Sequence, residues 1–253
     1  MKIIYVDNQS GFYGSGQTLV LVFNVLAILT FAGVIVLTLA AKDSQTARLR
    51  GGRWLEVFSI LLGCAVLFVS VGALLTAMAI DSSAPVVNEL PKWMLLIEHT
   101  LGVLSGVALL YLAFFLLSGA KHGKAKGTAS LVIVLWQTFL IIERFISFQQ
   151  VTTVSDQFFE TLHMVCFLLF LLYHTRCAAG LNTSRPACVR RSLLTAVFGL
   201  PLAVGQLAAV AVFGTGISGP SVVRSIVILA SSLYAVCFAV HISSMPEEIS
   251  QNA

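Results

Sequence analysis

Charge is what this sequence has least of. Of 253 residues, 10% are Asp, Glu, Lys or Arg, where a soluble domain carries roughly a quarter. That scarcity excludes a soluble enzyme, a disordered chain and a nucleic-acid-binding domain. The formal net charge of +4 therefore has to be read by position and not as a basic patch. Signatures of chemistry are missing as well. Gly11 to Thr18 reads GFYGSGQT, but a P-loop needs a lysine where Gln17 stands. Gly216-Ile217-Ser218-Gly219 has the G-x-S-G form of intramembrane serine proteases, with His241 as the candidate base. Ser218 precedes the last apolar run and His241 ends it, about 35 Å away along a helix, so no dyad forms between them. That last run holds Arg224 and no lysine, so the Schiff-base lysine of a retinal protein is absent. His174, Cys177 and Cys188 lie close in sequence, but a fourth ligand and a zinc spacing are lacking. All but Cys177 and Cys188 of the five cysteines fall inside apolar runs, where a thiol acts as a small hydrophobe.

What the chain has in abundance is apolar length: 58% of residues are hydrophobic and mean hydropathy is +0.94. A bilayer crossing needs about 20 such residues in a row. Runs of that kind fall near 18–41, 55–80, 93–117, 129–148, 157–175, 192–213 and 222–243. The reading is an all-α, polytopic membrane protein with seven transmembrane helices. Residues 1–17 form a tail, 18–243 the transmembrane domain and 244–253 a second tail, with no separate soluble domain. The first run starts too late and is too long for a cleavable signal.

Orientation follows from Lys and Arg in short loops. The loops after the first, third and fifth runs carry Lys42, Arg48, Arg50 and Arg53, then Lys121, Lys124 and Lys126, then Arg176, Arg185, Arg190 and Arg191: eleven of the fifteen basic residues. The alternate loops hold Asp81, Glu89 and Asp156, with Lys92 on a flank. This predicts an extracellular N-terminus and a cytoplasmic C-terminus, and so no disulfide between Cys177 and Cys188. Pro91 and Pro220 open runs, where proline costs least. Pro201 lies inside one and is expected to kink it. Gly102 and Gly106 make a G-x-x-x-G that lets a neighbouring helix approach.

Ionisable residues inside spans cost a few kcal/mol each, so each calls for a reason. Here they are Glu98 and His99, Glu143 and Arg144, and Glu160 and His163. Helical rise places all six in the outer third of three successive spans, with Arg224 starting the last span on the same side. Two readings compete. One is an ion-pair network, Arg144 against Glu98 or Glu160, with the histidines as hydrogen-bond partners. The other is a polar pocket open to the outside, with Glu98, Glu143 and Glu160 as carboxylate ligands or proton acceptors. His99 and His163 would then be titrating partners, and Arg144 and Arg224 counter-charges. Haem between His99 and His163, or a di-iron site on Glu160-x-x-His163, lacks the companion features each needs. No cofactor, metal or catalytic residue is assigned.

Residues 135–180 read LWQTFLIIERFISFQQVTTVSDQFFETLHMVCFLLFLLYHTRCAAG. The order Trp136, Arg144, Ser155, Glu160 and then FLLFLLYHTR resembles uncharacterised multi-pass membrane proteins of Firmicutes. The resemblance covers about a fifth of the chain and implies a bacterial cytoplasmic membrane; it brings no activity. The expected function is a non-enzymatic, transporter-like protein binding a small polar or cationic solute from outside. A seven-helix sensor acting through a cytoplasmic partner protein is the alternative, and an intramembrane acid–base enzyme the third class. Expected partners are membrane lipids, the solute, and a cytoplasmic protein or a second copy, with no nucleic acid.

Overall fold

The computed structural model describes residues 25, 29–30, 32–36, 47, 52–79, 91–117, 124–148, 154–213 and 222–244. Its architecture is all-α. Six long helices follow in order: α1 Arg53–Ala79, α2 Lys92–Leu117, α3 Lys124–Phe148, α4 Val154–Ala178, α5 Arg185–Phe213 and α6 Val222–Ser244. Each contains a stretch long and apolar enough to cross a bilayer, which makes this a multi-pass membrane protein. The first apolar run, 18–41, lies mostly outside the described residues; residues 25, 29–30 and 32–36 within it are helical. The tails 1–17 and 245–253, the GFYGSGQT segment and the G-x-S-G turn also lie outside them.

The surface of the bundle carries the signature of a lipid solvent. Phe68 is 77% exposed, and Phe114 and Phe145 are about two-thirds exposed, on helices whose buried faces hold serines and glutamates. In water such a surface would aggregate; against acyl chains it costs nothing. Trp54 opens α1 and Trp93 opens α2, both exposed, where amphipathic indoles favour the headgroup region.

Local sequence sets the helix ends. Pro91 lacks an N–H to lose, and its carbonyl accepts from Met94 and Leu95 at the start of α2. Helix α4 stops at Gly180, whose φ of 77° suits a residue without Cβ. Gly180 N–H donates to the Cys177 carbonyl and Leu181 N–H to that of Arg176, the paired bonds of a Schellman motif. Ser184 then caps α5, its Oγ accepting from Ala187 N–H at 3.4 Å. Helix α5 runs through Pro201 to Phe213.

Each helix packs on its neighbours in sequence, and α1 against α6 closes the ring. The tightest seam joins α1 to α2. Gly63 faces Leu110 and the Gly106 carbonyl, Gly106 faces Leu67, and Gly102 faces Ser70 and Trp136. The G-x-x-x-G is thus a packing device, as ordinary helix association requires. Cys177 and Cys188, read from sequence as lying in or beside a loop, sit in α4 and α5. Both are buried free thiols, with Sγ atoms 3.5 Å apart. His174 belongs to a different cluster, bonded to Tyr234 Oη at 2.7 Å.

Candidate functional site

Helices α2, α4 and α6 begin, and α3 ends, at one end of the bundle. There they bring Glu98, His99, Glu143, Arg144, Glu160, His163 and Arg224 around a single cavity of about 240 Å³. Seven residues spread over 127 positions of sequence meet because alternate helices run in opposite senses.

Glu160 is the anchor. Its carboxylate is 3% exposed, and Arg144 Nη2 donates to Oε2 at 2.5 Å while Arg224 Nη1 donates to Oε1 at 3.2 Å. Both carboxylate oxygens are therefore occupied by guanidinium groups from α3 and α6. Of the two pairings read from sequence for Arg144, Glu160 is the partner. Arg144 is largely enclosed and Arg224 is 42% exposed, so the cluster grades from dry to open across Glu160.

Glu98 and Glu143 line the same cavity as Arg144 and Arg224. Three carboxyls stand there against two guanidinium groups, a surplus of one negative charge that a low-dielectric site needs balanced. His99 Nδ1 lies 3.6 Å from Glu98 Oε1.

His163, 2% exposed, is held from both sides. Its Nδ1 lies 3.2 Å from the Thr195 carbonyl, which can only accept, so this nitrogen carries a hydrogen. Its Nε2 lies 3.3 Å from Ser231 Oγ. The ring fits because residue 199 is glycine: a Cβ there would stand 2.5–2.6 Å from the imidazole.

Apolar walls of the cavity come from Val66, Val69, Leu140, Phe167 and Ile228. Trp136, Gln137 and Ser231 also line it; they were not singled out as site residues from sequence. Gln137 is a rare polar residue inside a span, and its Nε2 donates to the Met164 carbonyl at 3.1 Å. Trp136 and Ser231 carry no such signal, because an aromatic or a serine inside a span is ordinary. Among the described residues, no group of three His, Cys, Asp or Glu side chains is arranged to hold a metal ion. Comparison with protein-family models, with curated proteins and with solved structures finds no match for this chain.

Proposed function

We propose that this protein binds a small polar or cationic solute in the cavity between Glu98, Glu143 and Arg144, from the outer face of a bacterial cytoplasmic membrane, and acts as a transporter-like protein. The reading includes a seventh span over 18–41, an extracellular N-terminus and a cytoplasmic C-terminus, supported by the basic loops. One observation carries it: the ionisable residues surround open space instead of filling it. An ion-pair network alone has no need of a 240 Å³ cavity, since interiors close to packing densities near those of crystals. Seven helices suit two three-helix repeats and a linker, which favours transport over signalling. Docking to a cytoplasmic protein or a second copy would come through the basic loops, which anionic lipids also attract.

The second reading, a structural network, is favoured by Glu160, both of whose oxygens are already satisfied. Thiol accessibility separates the two. Single cysteines replace Ser70, Glu143 and Ser231 in a cysteine-free variant and meet an impermeant thiol reagent on either side of sealed vesicles. Labelling from outside alone supports a binding pocket, and labelling from both sides supports alternating access. Protection from both sides would leave the structural network as the function of these residues.

A further inference from the structure

The cavity is polar at one end and apolar at the other, and that gradient speaks to the chemistry of its occupant. Glu98 is six residues from the start of α2 and Glu143 five from the end of α3, so the carboxyl pair lies about 8–9 Å from that end of the bundle at helical rise. Val66, Trp136 and Phe167 lie twelve or thirteen residues from the corresponding ends of α1, α3 and α4, about 18–20 Å in. The cavity therefore runs about 10 Å from the two carboxyls to a deeper end. Its 240 Å³ is the liquid volume of about eight waters, and apart from Trp136, Gln137 and Ser231 the lining of that end is largely apolar, with Val66, Val69, Met164 and Phe167.

We infer that the occupant is an amphipathic organic monocation, whose ammonium group lies between Glu98 and Glu143 and whose apolar body fills the rest of the cavity. This rests on the pocket reading above. The charge count selects one positive charge. Glu98, Glu143 and Glu160 bring three carboxyls against the two guanidinium groups of Arg144 and Arg224, and one ammonium balances the remaining negative charge. A bare alkali or divalent ion is disfavoured, because hard cations need oxygen ligands around them and one side of the cavity is hydrocarbon. Arg144 Nε is buried without a hydrogen-bond partner among the described residues. The other ionisable groups facing the pair are His99 on α2, Glu160 and His163 on α4 and Arg224 on α6; α1 and α5 bring none to the cavity.

The test is direct binding to the whole protein in lipid nanodiscs. With Trp54→Phe and Trp93→Phe, both exposed and away from the cavity, Trp136 remains as the sole indole and reports occupancy by fluorescence. The probes are 2-phenylethylammonium, methylammonium, 2-phenylethanol, phenylalanine and sodium. The expected result is saturable binding of 2-phenylethylammonium at least tenfold tighter than any other probe. Affinity should fall at least tenfold in Glu98→Gln/Glu143→Gln, which also corrects for partition into lipid. Equal binding of the alcohol or the zwitterion would overturn the charge assignment. Carboxyl-dependent binding of sodium or methylammonium alone would overturn the amphipathic ligand and leave a cation pocket standing. No binding by any probe in a pocket that thiol reagents reach would sink the inference; failure of thiol labelling would sink the pocket itself.

Discussion

Helix α4 carries two buried histidines, His163 and His174, three turns apart on one face and linked by a ladder of rings through Phe167 and Phe170. They are 2% and 1% exposed, and each meets a hydroxyl of α6, Ser231 for His163 and Tyr234 for His174. By composition and burial they are twins. Their surroundings differ. His174 is enclosed by Phe170, Tyr234 and Phe238 with ring centroids 5.4–5.9 Å away, and its Nδ1 has no partner among the described residues. His163 borders a cavity ringed by five charged side chains besides His99. Burial of a polar group marks a place where packing has been made to fit it; only space beside that group marks a place where something else can arrive.

The largest effect should come from Glu160, which separates the structural from the functional part of the cluster. Glu160→Gln leaves two guanidinium groups without their carboxylate and should cost about 3–5 kcal/mol, the usual loss when one partner of a buried ion pair is removed. Denaturant unfolding in mixed micelles measures it. A loss below 1 kcal/mol would mean that the guanidinium groups find water, and that the whole cluster is wetter than its geometry implies. Gly199→Ala comes next. The added methyl meets the His163 ring, and overpacking of this kind costs about 1–3 kcal/mol. The same variant should displace the imidazole and weaken solute binding, whereas the His174 end should be untouched, which near-ultraviolet circular dichroism of the aromatic cluster would show.

Tyr234→Phe is the matching probe of the enclosed end. It removes the partner of His174 Nε2 and should cost about 1–2 kcal/mol, the range for an orphaned buried group tempered by the modest worth of interhelical bonds in membranes. Solute binding should not change; a tenfold loss would join the two histidines into one functional unit and end the contrast between them. The smallest effect on stability belongs to Glu143→Gln. The substitution keeps the shape of a half-buried side chain, so stability should move by no more than about 0.5 kcal/mol. A loss as large as that of Glu160→Gln would assign the carboxyl pair to the same structural network.

Much of the architecture was legible because a bilayer imposes a length on every crossing. The runs 55–80, 93–117 and 222–243 match α1, α2 and α6 within two residues at each end. The runs 129–148 and 192–213 begin five and seven residues late against α3 and α5. Hydropathy finds where the chain is apolar, while backbone hydrogen bonds continue into the basic flank, so Lys124, Lys126, Arg185, Arg190 and Arg191 are helical too. The site was half legible. Glu98, Glu143, Glu160 and Arg144 stand out because charge is scarce in spans, and depth counted from the helix ends brings them to one level. That Glu160 takes both arginines while Glu98 and Glu143 line the cavity beside them depends on how the helices are rotated. Helices apolar nearly all round give no periodicity from which to read that rotation. The cavity itself is invisible in sequence, since it consists of what the side chains leave unfilled.

The lengths of the helices have a consequence for where this protein can work. Helix α2 has 26 residues and α5 has 29, where a hydrocarbon core of about 30 Å takes roughly 20. Centred in such a membrane, α2 stands about three residues proud at either end, and the carboxyl pair sits only about 4–5 Å below the headgroup boundary. Thickening the bilayer by a few ångströms, as between one membrane and another, would draw the pair into oil and raise the cost of every charged state it adopts. Membrane thickness thereby becomes a physical variable of the site, felt by Glu98 and Glu143 through nothing more than the mismatch between a rigid bundle and the lipid around it.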